Sequence, residues 1–277
     1  MKILITGASS YLGARMYFDL KNKHAVTGTY SSNRLSKEFV HLDVTDKSQV
    51  NKLIKKLKPD IVIHAANNAS SKWCKENPKK AVLLNQTSTT YIVNVVNEIG
   101  SKLIYISSLA AVSPTNLYGE TKLASEKITK KTKLDYLILR PSLILGYSPN
   151  TSNDRPFNRI LKNLDKGTHA VYENAWNFQP TYIGHISEII EGCIKKGVWN
   201  ETISIVIPEV TTRYDTAKDI LYPFGVKVEV EKTVKPYFKD FEVKLDSMKK
   251  HGLPTYTYKE MIKKIISEIK NRSNFKL

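Results

Sequence analysis

The chain has 277 residues, 41% of them hydrophobic, enough for a large buried core in one or two domains and against a disordered or low-complexity protein. Its 43 Lys and Arg against 26 Asp and Glu give a net charge of +17, yet the lysines are spread over nearly every predicted helix without interleaved aromatics. That is the pattern of solvated helix faces and argues against a specific nucleic-acid binder. Two cysteines, Cys74 and Cys193, argue against a disulfide scaffold and for a reducing cytoplasm. The histidines show no metal-ligand spacing, no apolar stretch approaches a ~18-residue membrane span, and Lys2 runs straight into a strand, leaving no secretory leader.

The first element, Lys2 to Thr6, reads as a buried strand, and Ser10 to Lys21 as a helix, joined by a turn at Gly7. This is the strand–turn–helix setting of a dinucleotide fingerprint. Gly7 permits the tight turn, Gly13 lets helix and strand approach, and the helix N-terminus offers free N–H groups to a pyrophosphate. Ser9, Ser10, Tyr11 and Leu12 complete the expected cofactor loop. Ser10 stands where the middle glycine is expected and can offer its hydroxyl to phosphate instead.

Strands at Ala25–Tyr30 and Phe39–Val44 follow, and Asp46 caps a helix to Lys58. A fourth strand runs from Ile61 to Ala66, a long helix covers about Pro78 to Ile99, and a fifth strand runs from Lys102 to Ser108. A helix carrying Tyr118 and a strand Tyr136–Arg140, closed by Pro141, complete a regular alternation. That alternation predicts an α/β fold, a doubly wound parallel sheet with ligands at the strands' carboxyl ends. Gly7, Tyr30, Asp43, Ala65, Ser108 and Pro141 all fall at such ends. The second strand leads into Tyr30-Ser31-Ser32-Asn33-Arg34, with no acid for a ribose 2′-hydroxyl and an arginine able to hold a 2′-phosphate, so NADP is preferred over NAD.

Tyr118 and Lys122, four apart, share one helix face, ten residues beyond Ser107-Ser108. A tyrosine titrates near ~10, and a neighbouring cation lowers it toward the working range of an acid/base. A serine hydroxyl from the strand end can hold the oxygen that gains or loses the proton. Cys74, in the loop after the fourth strand, is read as a packing thiol.

Beyond Gly146-Tyr147 the polar run at 149–156 reads as a hinge, giving a dinucleotide-binding domain at 1–146 and a smaller, partly interleaved substrate lobe at 147–277. Phe157–Leu164 reads as a helix and Glu201–Pro208 as a strand. Thr211 or Thr212 caps the next helix, and Val226–Glu231 is an edge strand. Trp176 fits either a stacking platform or the core.

Together ILITGASSYLG, LDVTD, KPDIVIHAAN, LIYISS, YGETK, LRPSLILG and QPTY resemble the extended short-chain dehydrogenase/reductases, and within them the dTDP-4-dehydrorhamnose reductase family. The resemblance spans most of residues 1–190. It implies Tyr118 as proton donor/acceptor, Lys122 on the nicotinamide ribose, and Ser108, rather than Ser107, on the reacting carbonyl. It further implies Asp43 and Val44 beside the adenine, Ala65, Ala66 and Asn67 along the nicotinamide half, and Asn85 supporting the lysine through backbone or water. Pro141 closes the cofactor set, while Asn67, Ser108, Tyr147, Asn158 and Trp176 are the expected substrate contacts. One departure stands out: where rhamnose-type reductases carry Ser-Thr-Asp-Tyr-Val, this chain reads Ser107-Ser108-Leu109-Ala110-Ala111-Val112. The resemblance implies an NADP-dependent reduction of a nucleotide-linked keto-sugar at C4, in a cytoplasmic protein, with a homodimer as the expected assembly and no metal. The alternatives are an epimerase or dehydratase on a similar substrate, or a non-catalytic NADP-binding regulatory subunit.

Overall fold

A computed structural model describes residues 1–167, 169–231 and 243–277. In chain order its elements are β1 (Lys2–Thr6), α1 (Tyr11–Leu20), β2 (Ala25–Tyr30), β3 (Val40–His41), α2 (Lys47–Leu57), β4 (Ile61–His64), α3 (Ser71–Glu76), α4 (Pro78–Val82), α5 (Ser88–Ile99), β5 (Lys102–Ile106) and α6 (Leu117–Thr129). Then come β6 (Tyr136–Pro141), β7 (Ile144–Leu145), α7 (Pro156–Lys166), β8 (Ala170–Tyr172), β9 (Thr181–Tyr182), α8 (Ile183–Lys196), β10 (Glu201–Ile205), α9 (Arg213–Leu221), β11 (Val228–Val230), α10 (Asp246–Lys250) and α11 (Tyr258–Lys270).

Seven strands form one parallel sheet in the order β10-β6-β5-β4-β1-β2-β3. β1, β4 and β5 are near-continuous Ile/Leu/Val runs because helices cover both faces, leaving no wet side to demand alternation. From β1 the chain winds outward through β2 and β3, then returns to pair β4 on the other flank of β1. The reversal opens a crevice at the carboxyl ends of β1 and β4. Register sets its width: Thr6 pairs with His64, which brings Gly7 beside Ala66.

The capping chemistry follows the sequence. Asp46 accepts from the amides of Ser48 and Gln49 at the start of α2, and Thr212, not Thr211, caps α9. Thr257 and Glu260 form a reciprocal capping box at α11. The helix predicted over 78–99 is broken by a π-helical turn at Leu83–Thr87. The expected third strand shrinks to Val40–His41, and the Val44 side chain is buried in the core with Leu42, Val50 and Ile54.

Two elements from the second half return to the main sheet: β10 pairs β6, and α8 packs beside α1, burying Ile186, Ile189, Ile190 and Cys193. A separate core gathers Phe157, Ile160, Phe178, Ile220, Met261 and Ile265 around the small parallel pairs β8–β11 and β7–β9. The two cores are tied by a buried ionic cluster. Arg15 on α1 binds Asp19 through Nε at 2.8 Å, Glu268 of α11 through Nη2 at 2.7 Å and the Tyr147 carbonyl through Nη1 at 2.7 Å. Among the described residues, no helix is long and apolar enough to cross a membrane.

Candidate active site

At the carboxyl ends of β1, β4, β5 and β6 lies a cleft of about 380 Å³. Ser10, Tyr11 and Leu12 form one wall, and Ala65 and Asn67 the floor. Ser108, Leu109, Ala110 and Tyr118 form the opposite wall, and Pro141, Arg155 and Trp176 the far end. Nine of the 23 predicted site residues thus line one cleft.

The α1 turn is built by two glycines. Gly7 sits at φ +71°, and a Cβ there would come within 2.9 Å of Ala66 Cα; a Cβ on Gly13 would strike the Gly7 carbonyl. Ser10 is the N-cap, its Oγ accepting from the Gly13 amide at 3.0 Å, which leaves its hydroxyl proton free to donate. The amides of Tyr11 and Leu12 keep no acceptor among the described residues and open on the cleft. These are the donors an anionic pyrophosphate takes at a helix N-terminus. Asn67 donates to the Ala65 carbonyl at 2.9 Å while its buried Oδ1 has no partner, a second polar atom suited to a bound dinucleotide.

Ser9 holds the rim together: its Oγ accepts from the Leu35 amide at 3.2 Å and its carbonyl from Asn150 at 2.6 Å. Beyond it, Arg34 is exposed, lies 5.5 Å over the Tyr30 ring, and donates to the carbonyls of Ser36 and Lys37. Ser31 and Ser32 are exposed beside it. Asp43 accepts from the amide and hydroxyl of Thr45 at 2.9 and 2.7 Å, which fixes the turn after β3.

The two serines at the end of β5 divide their work. Ser107 is buried and donates to Glu126 Oε1 at 2.6 Å, and Glu126 in turn takes Arg140 at 2.8 and 2.6 Å. Ser108 accepts only a local amide, Ala110 N at 3.2 Å, and lines the cleft beside Tyr118. Asn116 caps α6 by accepting from Gly119 at 3.1 Å, which aims the first turn, and Tyr118 with it, into the cleft.

Lys122 is placed differently from expectation. It lies beneath Tyr118, only 1% exposed, and donates to the Ile106 carbonyl at 2.8 Å, 4.8 Å from the Tyr105 ring centroid and 5.9 Å from that of Tyr118. Burial pushes the ammonium down to about 7, with Glu126 and then Cys74 pulling it back up. Tyr118 moves up to about 12 rather than down. Burial dominates, and the Ser108 hydroxyl and the Arg155 guanidinium oppose it. The expected lowering is outweighed by the burial of the phenol.

Asn85, in the π-helical turn, grips the backbone of Asn68, accepting from its amide at 2.8 Å and donating to its carbonyl at 3.0 Å, and so positions the loop after β4. Its own carbonyl takes Ser125 Oγ at 2.8 Å. Two further expectations are corrected. Tyr147 lies outside the cleft, its ring 5.1 Å from Phe275 and its amide on Glu268 at 3.0 Å. Asn158 is 1% exposed and donates to the carbonyls of Asn150 and Asn153, so it braces the 150–153 loop. Trp176 lines the cleft while its ring packs tilted against Phe178 at 4.8 Å, under the Arg213 guanidinium.

Sequence reasoning missed Arg155 and the Thr6–His64 pair by name. His64 is buried, bonded through Nδ1 to Thr6 Oγ1 at 2.8 Å, and driven down to about 3 by burial and then by Lys122. Thr6 Oγ1 also accepts from the amides of Ala65 and Ala66, which pins the floor of the cleft. Cys74 is fully buried against Asn68 and Asn85, its thiol raised by that burial.

The curated relatives divide between two kinds. The chain is 31% identical to methionine adenosyltransferase 2 subunit beta of Rattus norvegicus over 160 residues, 52% of this chain and 47% of that one. It is 30% identical to the dTDP-4-dehydrorhamnose reductase of Salmonella typhimurium over 165 residues, 54% of each chain. The chain thus spans about half the length of the curated relatives it matches. In structure it superposes on a dTDP-4-dehydrorhamnose reductase from Bacillus anthracis in complex with NADP, with a TM-score of 0.80 at 19% identity, covering 96% of this chain and 98% of that one. The RmlD substrate binding domain family matches residues 1–271. With glycine turn, paired serines and Tyr-x-x-x-Lys helix converging on one cleft, the chain belongs to the RmlD substrate binding domain family.

Proposed function

We propose that the protein is an NADP-dependent reductase of a nucleotide-linked keto-sugar. The observation that carries the reading is the meeting, in one cleft, of the free α1 amides with the hydroxyls of Ser108 and Tyr118. When bound, the nicotinamide cofactor supplies a hydride to a carbonyl carbon. The residues suited to hold it are Tyr11 and Leu12 at the pyrophosphate, Arg34 with Ser31 and Ser32 at the 2′-phosphate, Asp43 near the adenine, and Asn67 toward the nicotinamide. Ser108 donates to the substrate oxygen and orients it. Tyr118, protonated throughout the neutral range, transfers its proton to that oxygen as negative charge builds there. Lys122, buried beneath Tyr118 on the Ile106 carbonyl, sets the charge below the cleft on which cofactor binding depends. The Leu109–Ala110 wall, in place of an acidic–aromatic pair, leaves the substrate side uncrowded and weakens the case for a rhamnose precursor in particular.

Tyr118→Phe tests the assignment. Turnover is expected to fall at least ~100-fold while NADPH affinity stays within about twofold, the behaviour of a lost general acid. Normal turnover in that variant would remove Tyr118 from the chemistry.

A second reading rests on the subunit relatives: a cofactor-binding subunit of a larger assembly. The open cleft beside Tyr118 favours the enzyme. An epimerase would use the same residues with no net consumption of NADPH.

A further inference from the structure

Arg155 stands apart from the other arginines. Arg15, Arg140, Arg159, Arg213 and Arg272 each pair with a carboxylate, and Arg34 donates to two carbonyls. The Arg155 side chain has no acceptor among the described residues, although it is half-buried in the catalytic cleft. It is also the one charged side chain among the described residues lining that cleft, where Leu109 and Ala110 occupy the wall that could have held an acid. Its backbone is fixed: Arg155 N donates to the Asn153 carbonyl, its own carbonyl caps α7 through Arg159 N at 3.0 Å, and Pro156 follows. A half-desolvated guanidinium without a counter-charge is costly in the free protein and gains a bidentate partner when an oxyanion arrives.

We propose that Arg155 receives an oxyanion of the substrate, a phosphate or a carboxylate carried within about one sugar ring of the carbonyl that faces Ser108 and Tyr118. Arg155 lines the same cleft as Ser108, Tyr118 and Tyr11, which places the charge close to the reacting centre. The proposal rests on the keto-sugar reading for the identity of the substrate but not for the presence of an anion site. A diphosphate at the anomeric carbon and a carboxylate on the sugar ring offer the same chemistry from two sources.

Calorimetric titration of the full chain, saturated with NADP, separates them. The probes are UDP-glucose, UDP-glucuronate and inorganic pyrophosphate, against wild type, Arg155→Met and Arg155→Lys. Thermal melts confirm folding, and Arg155→Gln replaces any variant that fails to fold. A loss of at least tenfold for all three probes in Arg155→Met, partly restored by lysine, supports the phosphate source. A loss confined to UDP-glucuronate supports the carboxylate. Pyrophosphate binding that depends on Arg155, with neither sugar nucleotide bound, keeps the anion site and removes the keto-sugar reading. Equal affinities in wild type and Arg155→Met, or no binding of any probe to wild type, overturns the proposal.

Discussion

At the scale of single residues, the pair at the centre of the site is an unusual acid and an unusual base. Lys122 has its ammonium depressed to about 7, so below that pH it is charged beneath the cleft and above it largely neutral. An anionic cofactor favours the charged form, so binding should take up a proton near neutrality, and NADPH affinity should weaken as pH rises through about 7. Lys122→Met should bind at least ~10-fold more weakly at pH 6, with the gap to wild type closing by pH 9; a pH-independent gap would show that the charge does not matter. The sign for folding is the reverse. The unfolded lysine holds its proton between about pH 7 and 10.5 while the folded one has released it, so this residue's penalty on the cofactor-free fold shrinks as pH rises through that window. On the proposed reading Arg34 carries cofactor choice, since no acid competes for a ribose hydroxyl at the end of β2. NADPH should bind at least ~10-fold more tightly than NADH, and Arg34→Ala should narrow that ratio; equal affinities in fluorescence titrations of the wild type would contradict it.

At the scale of elements, the catalytic groups are aligned by polar contacts between β5, α6 and β6. Ser107 and Glu126, both buried, and the half-buried Arg140 form a cluster that locks the end of β5 to the lysine helix and the next strand. Glu126→Ala leaves the Ser107 hydroxyl and the half-buried arginine without their acceptor and should destabilise the fold by about 1–3 kcal/mol, measured by urea unfolding; a cost under about 0.5 kcal/mol would mean water replaces the carboxylate. The elements that were legible in the sequence are those with one dominant cause. β1, β4 and β5 show as apolar runs, α2 as a helix capped by Asp46, and the α1 turn as spaced glycines. The π-helical turn was invisible because local propensity continues smoothly through it, and only Asn85's grip on Asn68 reveals it. α8 went unread although Ile183, Ile186, Ile190 and Cys193 carry a helical period, since no cap marks its start. Tyr147 and Asn158 were misplaced because their partners, Phe275, Glu268 and the 150–153 loop, are set by tertiary packing that spacing does not encode.

At the scale of the molecule, a parallel sheet supplies the proposed cofactor side and catalytic residues, and a second core brings Arg155 and Trp176 to the same cleft. Arg15, Asp19, Glu268 and Tyr182 tie the two cores together away from the cleft. The positive charge of the chain as a whole would add attraction for an anionic cofactor and a diphosphate substrate. The most direct measurement is NADPH oxidation by the purified full chain across a panel of 4-keto nucleotide sugars, followed at 340 nm with Tyr118→Phe as control. Sustained oxidation with at least one keto-sugar nucleotide, abolished in the control, is the predicted result. Tight NADPH binding with no oxidation and no change in any sugar across the panel would contradict the reductase and leave the cofactor-binding subunit as the reading that stands.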